Sequence, residues 1–180
     1  LFTEMKLRAP LIILFLSFSF ICGFSQTPAI KESQSAAKIK ASFIYSFTKS
    51  VKWPNEANLT SFKICVLNNE ELVSRLKVIV ANNKFRNKTP FKVIHARKIS
   101  EIVQCQILLV NSTSENDIKT IYNKIKGKPT LLVTENLLDY RQSIVSFVEV
   151  DGRMKWIINK QKMNEAGLKA SDVLYELSIT

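Results

Sequence analysis

The sequence predicts an α/β fold: one small sandwich domain with a mostly parallel central sheet, flanking helices and a β-hairpin near the carboxyl terminus. Four short apolar runs rich in β-branched residues are typical of buried strands, and amphipathic helical patterns lie between most of them. Strands that alternate with helices form parallel sheets through right-handed crossovers. Two further runs flank Asp151-Gly152, a dipeptide that favours a hairpin turn. The length of 180 residues suits one domain with one core.

The first apolar run, residues 62–68, is expected to form the central strand of the sheet. A charge-rich run over residues 84–88 precedes the second strand, and its lysines would discourage unwanted pairing at a sheet edge. The remaining predicted strands cover residues 91–96, 105–110 and 130–134, and the hairpin covers residues 144–150 and 154–158.

The helical patterns begin with an amphipathic stretch that starts near Ala36. Apolar residues recur at every fourth position from Ile39 to Val51, which predicts one buried stripe. Trp53-Pro54 ends this helix, because the residue before a proline avoids helical geometry. Further helices are expected over residues 70–81, 100–104 and 114–126, followed by a closing helical segment that breaks at Gly167 and resumes at Ser171.

The amino terminus has the pattern of a secretory signal peptide. Residues 5–8 carry positive charge, residues 11–21 are almost wholly apolar, and residues 23–25 include the small side chains that signal peptidase requires. We therefore expect cleavage before Gln26 and export to the periplasm. The residues before Met5 are assigned no function.

Two other interpretations of this segment are less favoured. A membrane-spanning helix needs roughly 20 apolar residues, and the apolar run is shorter than that. Lipid attachment at Cys22 would require Gly, Ala or Ser before the cysteine, and Ile21 stands there. The predicted division of the chain is therefore a signal peptide over residues 1–25, a short polar linker over residues 26–35 and the α/β domain over residues 36–180.

Composition and motifs argue against catalysis. The formal net charge of +11 favours acidic partners or anionic surfaces, although export removes nucleic acid as a target and the aromatic residues have core spacing. Each glycine after the predicted cleavage site has a structural use, so none remains for a phosphate-binding loop. His95 is the only histidine, and neither a catalytic arrangement nor a zinc-ligand spacing surrounds it. We therefore expect no enzyme activity, no cofactor and no metal site.

A few residues are candidates for binding a ligand or a partner. Trp53 would either close the first helix onto the sheet or anchor a partner, since tryptophan is common in both settings. Asn68, Asn111 and Glu135 lie where predicted strands end, and open α/β sheets bind ligands at the carboxyl ends of their strands. The alternative is that these three residues only cap the segments that follow.

Cys65 and Cys105 are the two cysteines that remain after removal of the signal peptide. In the common doubly wound strand order the first and third strands are neighbours, about 5 Å apart, which is close to the Cα separation of a disulfide. An oxidising compartment would then favour a single intramolecular bridge, whose reduction would loosen the sheet. The alternative is a pair of buried, unpaired thiols that behave as small apolar side chains.

Several segments, taken in their order and spacing, resemble the YfiR family of periplasmic regulatory proteins. The resemblance starts in the predicted first helix, whose end reads Val51-Lys52-Trp53-Pro54, and it covers nearly the whole chain after the signal peptide. The segments that carry it are residues 37–54, 62–67, 105–110, 129–134 and 147–159, with residues 166–168 downstream.

This resemblance implies an exported, non-catalytic protein with a small α/β sandwich that tends to form homodimers. It implies that the protein binds and inhibits the extracytoplasmic sensing domain of a membrane-bound diguanylate cyclase, so that its release raises cyclic di-GMP and promotes biofilm formation. A histidine kinase is an alternative partner. A second hypothesis is an exported small-molecule-binding module that serves a histidine kinase or a transport system.

Overall fold

The structure is a computed structural model that describes residues 28–111, 115–135 and 142–179. The expected signal peptide and Cys22 lie outside the described residues. Among the described residues, no helix is long and apolar enough to cross a membrane.

Nine strands and five helices make up the described part of the chain, together with two short 3-10 turns at Glu56–Asn58 and Ile99–Glu101. The strands are β1 (Val51–Lys52), β2 (Phe62–Leu67), β3 (Lys84–Phe85), β4 (Thr89–Ala96), β5 (Ile107–Val110), β6 (Leu131–Glu135), β7 (Val145–Val150), β8 (Arg153–Ile158) and β9 (Lys169–Ala170). The helices are α1 (Pro28–Ser50), α2 (Glu70–Val80), α3 (Glu115–Ile125), α4 (Lys160–Glu165) and α5 (Asp172–Glu176).

The main sheet has seven strands in the order β3-β4-β2-β5-β6-β7-β8. The five strands from β4 to β7 run parallel to their neighbours, whereas β3 and β8 are antiparallel at the two edges. Among the parallel strands, the first in the chain is flanked by the second and the third, which is a common doubly wound order. The predicted α/β class, the mostly parallel sheet and the hairpin near the carboxyl terminus are all confirmed.

Burial explains why the central strands have continuous apolar sequences. Every residue of β5 and β6 is buried, and in β2 only Lys63 is half-exposed. Strands covered on both faces need apolar side chains at every position, in contrast to the alternation of a half-exposed strand. The predicted strand over residues 62–68 is therefore an interior one, third of the seven, as its apolar composition indicates.

The hairpin turn between β7 and β8 also follows directly from the sequence. Asp151 and Gly152 both have positive φ, 52° and 68°, as a two-residue type I′ turn requires. The register that results places Phe147 opposite Trp156. The turn dipeptide thus determines which aromatic side chains meet on the two strands.

Helix α1 differs from the sequence prediction at both ends. It begins at Pro28, so the described part of the expected linker over residues 26–35 is helical. Proline is well suited to the first turn of a helix, where its missing N–H is not needed. The helix ends at Ser50, because Val51 and Lys52 pair antiparallel with β9.

The buried face of α1 is also shifted from the predicted stripe. Ala37, Ala41, Ile44 and Phe47 are buried, whereas Ile39 remains 42% exposed. A spacing of four residues drifts by about 40° per step around a helix of 3.6 residues per turn, so the predicted stripe leaves the sheet. This buried face packs within the core, and α1 also contacts α2.

Two groups of aromatic rings lie at opposite parts of the sheet. The Trp53 cluster consists of Trp53, Phe62, Phe85 and Phe91, with the Phe62 and Phe85 ring centroids 4.2 Å apart. The Trp156 cluster consists of Phe43, Phe47, Phe147 and Trp156 and joins α1 to the β7–β8 hairpin.

Candidate functional site

The strand-end cleft lies at the carboxyl ends of β2, β4 and β5. Its volume is about 160 Å³, and it brings together two predicted residues, Asn68 and Asn111. This is the place where the strand order reverses direction, which is where open α/β sheets bind ligands. The residues that line the cleft are Leu67, Asn68, Arg97, Lys98, Ile99, Asn111 and Asp117.

Local geometry gives the cleft its polar character. Asn68 has a left-handed backbone, with φ of 53°, and its N–H donates to the Ala96 carbonyl at 2.8 Å. The capping role expected here belongs instead to Asn69, whose Oδ1 accepts from the Leu72 N–H at 3.0 Å. Asn68 itself is exposed, so its side chain is accessible to a small ligand.

Charge limits what the cleft can take. Arg97 and Lys98 bring two cations, but the Glu101 carboxylate accepts from the Arg97 backbone N–H at 2.8 Å and lies 3.8 Å from Lys98 Nζ. Asp117 adds a further negative charge to the lining. The arrangement can hold a small polar molecule, but its positive field is largely compensated.

The third predicted strand-end residue, Glu135, does not contribute to the cleft. It is the last residue of β6, is 3% exposed, and accepts a hydrogen bond from Lys40 Nζ on α1. Its other carboxylate oxygen is buried and has no partner among the described residues. Glu135 therefore forms an ion pair that ties α1 to the sheet.

Trp53 is a buried component of the first aromatic cluster. It is 4% exposed, and its Nε1 donates to the Gln106 carbonyl at 3.1 Å. The Phe62 ring lies edge-on to it, with 4.9 Å between centroids. The side chain connects the segment after α1 to the start of β5, and a partner could not reach it in this conformation.

Cys65 and Cys105 lie together in the core. They are 0% and 2% exposed, and both are free thiols in the structure. A hydrogen bond between the two thiols lowers the pKa of Cys65, and the same bond together with burial raises the pKa of Cys105. The expected pairing of their strands is present, because β2 and β5 are neighbours.

One detail of the cysteine geometry differs from the prediction. The ladder between β2 and β5 starts with Ile64 opposite Ile107, so Cys105 precedes the strand that was expected to include it. The Thr130 hydroxyl donates to the Cys105 carbonyl at 2.7 Å and holds this segment in place. The thiols meet without a bridge, and the disulfide stays a prediction.

A basic groove, which the sequence analysis did not identify as a site, lies between the end of α1 and the β3–β4 hairpin. Its volume is about 360 Å³. Its lining combines aromatic side chains, amides and cations: Tyr45, Thr48, Lys49, Asn83, Lys84, Phe85, Arg86, Asn87 and Phe91. The only sequence signal was the charged run over residues 84–88, which was interpreted as protection of a sheet edge.

Arg86 holds together the backbone segments that form the groove. Its guanidinium donates to the carbonyls of Lys49 and Val51 at 3.1 and 2.9 Å, and it pairs with Glu56 at 3.2 Å. The cation therefore caps the carboxyl end of α1, where the helix dipole is negative. Lys49 lies over the Tyr45 ring at 4.5 Å from its centroid, so the groove keeps an outward positive charge.

The remaining chemistry of the described residues is sparse. His95 is half-buried on β4. No group of three or more histidine, cysteine, aspartate or glutamate side chains that could hold a metal ion occurs in the part of the chain that the structure describes.

The chain was compared with protein families. The model of the family described as YfiR/HmsC-like matches residues 37–178, which is most of the chain and extends from α1 to just beyond α5. No curated protein matches the chain.

Proposed function

Because the chain belongs to the YfiR/HmsC-like family, we propose that it is a non-catalytic periplasmic regulator of a membrane-bound signalling protein. It binds the extracytoplasmic sensing domain of that protein and holds it inactive. The signalling protein that fits best is a diguanylate cyclase, so loss of the regulator would raise cyclic di-GMP. The single observation that carries this proposal is the family match over residues 37–178.

The basic groove supports a binding role of this kind. Arg86 is neutralised within the fold, but Lys49 and Lys84 are exposed and form no ion pair among the described residues. Half-exposed Tyr45 and Phe91 lie beside these lysines, with 6.1 Å between their ring centroids. Aromatic side chains flanked by cations fit an acidic segment that carries an apolar anchor. We therefore propose that the sensing domain of the partner binds in this groove.

The experiment is a capture from membranes, combined with a measurement of cyclic di-GMP in cells. Deletion of the gene should raise the nucleotide, and the wild-type protein should recover a diguanylate cyclase from solubilised membranes. Double charge reversal, Lys49→Glu with Lys84→Glu, should weaken capture by about tenfold or more, because like charges at an interface repel. Lys98→Glu, which reverses an exposed charge at the strand-end cleft, is the matched control.

The outcomes separate the alternatives. If deletion leaves cyclic di-GMP unchanged and the protein captures a histidine kinase, the partner is a histidine kinase and not a diguanylate cyclase. Weakening by Lys98→Glu, with unchanged capture by the double charge reversal, would place the contact surface at the strand-end cleft and not at the basic groove. Capture of no membrane protein by the wild type would reject the regulator.

Redox sensitivity forms part of the proposal. Cys65 and Cys105 are both buried, and the interaction between their thiols shifts the pKa of each, so the two are neighbours that an oxidant could join. A bridge between them would join β2 to the segment that enters β5. Its reduction would loosen the core that supports the end of α1 and, with it, the basic groove.

A small-molecule sensor remains the second candidate function. The strand-end cleft favours it, because Asn68 and Asn111 both line a cavity at the reversal point of the sheet. Saturable binding of a periplasmic metabolite that is lost in Asn68→Ala, without any captured membrane protein, would favour this function over the regulator.

A further inference from the structure

A second cavity lies on another part of the molecule, between α3, α4 and β6. Its volume is about 330 Å³, which is at the lower end of the range for small-molecule sites. Its wall is apolar and is formed by Ile125, Leu132, Ile144 and Ala166. This α3–α4 pocket shares no lining residue with the strand-end cleft or the basic groove.

One residue of the pocket lining has an unmatched acceptor. Gln142 lines the cavity, and its side-chain oxygen is buried without a hydrogen-bond partner among the described residues. A buried acceptor without a partner costs stability, and a ligand that brings an N–H or O–H group would recover that cost. Thr130 lines the same cavity, and its hydroxyl already donates to the Cys105 carbonyl.

The rest of the polar lining carries an excess of positive charge. Lys162 Nζ lies 2.8 Å from the Glu165 carboxylate and donates to the Tyr122 hydroxyl at 3.0 Å. These two bonds raise the pKa of Lys162 and keep it cationic. Lys126 and Lys128 also line the pocket, so its lining residues carry three positive charges and one negative charge.

We propose that the α3–α4 pocket binds a small amphipathic carboxylate that carries a hydrogen-bond donor at its far end. The donor reaches Gln142, the apolar body lies against Leu132 and Ile144, and the carboxylate meets Lys162 and Lys126. The Tyr122 ring, with Lys162 Nζ 4.7 Å from its centroid, gives the body a flat wall. The pocket would give the protein a chemical input separate from its contact with a sensor.

The test uses three related probes and isothermal titration of protein purified from the compartment in which it accumulates. 4-Hydroxyphenylacetate has all three features, phenylacetate lacks the distal donor, and 2-(4-hydroxyphenyl)ethanol lacks the carboxylate. We expect the first to bind, phenylacetate to bind about tenfold more weakly, and the alcohol to bind several-fold more weakly. The titration needs no sensor, so its result is independent of the proposed regulation.

Two variants assign binding to this pocket. Gln142→Leu should remove the preference for 4-hydroxyphenylacetate over phenylacetate, because the acceptor is gone. Ala166→Phe should fill the cavity and abolish binding of both. Gln104→Leu replaces an exposed glutamine outside the pocket and is the matched control. Circular dichroism shows whether each variant is folded.

Three results would overturn the proposal. The first is the absence of saturable binding of 4-hydroxyphenylacetate to the wild-type protein. The second is unchanged binding by a folded Ala166→Phe variant. The third is a Gln142→Leu variant that still prefers the hydroxylated probe by about tenfold.

Discussion

The Trp53 cluster and the Trp156 cluster each cover one part of the sheet with aromatic rings, but the polar groups beside them differ. Each closes one part of the sheet with a buried tryptophan whose Nε1 donates to a backbone carbonyl, that of Gln106 or that of Leu174. The Trp53 cluster lies beside two free thiols and the partly exposed Arg86–Glu56 ion pair, with Arg86 4.7 Å from the centroid of the Phe85 ring. The Trp156 cluster lies beside the buried Lys40–Glu135 ion pair, since Glu135 is opposite Phe147 in the ladder between β6 and β7.

This difference shows that the two parts of the core depend on different conditions. Oxidation of two thiols to a disulfide would raise the free energy of unfolding. A buried ion pair instead stabilises the fold only while both charged partners are present. The Trp53 cluster also supports the basic groove, because Phe85 and Phe91 belong to both. Perturbation of the Trp53 cluster should therefore affect the proposed contact surface more directly than perturbation of the Trp156 cluster.

The largest expected effect comes from removal of a ring from the Trp53 cluster. Phe62→Ala should lower the free energy of unfolding by about 4–5 kcal/mol, because the side chain is fully buried and contacts three other rings. Phe43→Ala in the Trp156 cluster should cost about 2–3 kcal/mol, since Phe43 is half-buried. Urea unfolding measures both, and equal losses would contradict the asymmetry.

Oxidation should stabilise the part of the core that contains the Trp53 cluster. A Cys65–Cys105 bridge closes a loop of roughly 40 residues and should add about 4 kcal/mol to the free energy of unfolding in the chain-entropy description. Thiol titration of the unfolded protein without reductant should find no free thiol from this pair. Two free thiols per chain would reject the bridge. Cys65→Ala with Cys105→Ala is the control that should remove any response to reductant.

The ion pair should act on the Trp156 side. Glu135→Ala removes the carboxylate partner of Lys40, whose side chain is only 17% exposed, and should cost about 2–3 kcal/mol. The exposed Glu71–Arg75 pair of α2 is the control, and Glu71→Ala should cost less than about 0.5 kcal/mol. Similar losses from the two substitutions would show that burial adds nothing to the Lys40–Glu135 pair.

The smallest effect compares the two tryptophans. Trp53→Phe and Trp156→Phe each remove one hydrogen bond and should cost about 1 kcal/mol from that loss. The Gln106 carbonyl keeps the Leu131 N–H as a second donor at 2.8 Å, so Trp53→Phe should be the milder change. Urea unfolding measures the loss of free energy of unfolding in both variants. A larger loss for Trp53→Phe would show that the packing of the indole ring matters more at this position than its hydrogen bond.

Sequence alone was sufficient for the elements that carry a long pattern. The central strands have continuous apolar runs, and the hairpin has a turn dipeptide, so these strands and this turn could be located from local features. The two-residue strands β1, β3 and β9 are too short for any periodicity and were not predicted. The start of α1 was placed too late, because Pro28 is as common in a first helical turn as in a linker.

The site residues were harder to predict, because the chain does not specify which face of the sheet a strand end uses. Asn68 and Asn111 do meet at one cleft, but Glu135 turns to a lysine 95 residues earlier in the chain. The basic groove combines the end of α1 with a hairpin that follows β1, β2 and α2 in the chain. Neither segment alone has a spacing that indicates a shared surface.

The interior position of β2 in the sheet has a consequence for folding during synthesis of the chain. Phe62 pairs with Phe91 and Ile64 with Ile107, so a chain made from its amino terminus exposes both edges of β2 until these distant partners exist. Contacts this far apart in sequence slow folding, and an unpaired apolar strand invites association with other chains. Residues Phe62–Leu67 are therefore the segment that a chaperone should bind during synthesis, and the Cys65 thiol is accessible in that interval.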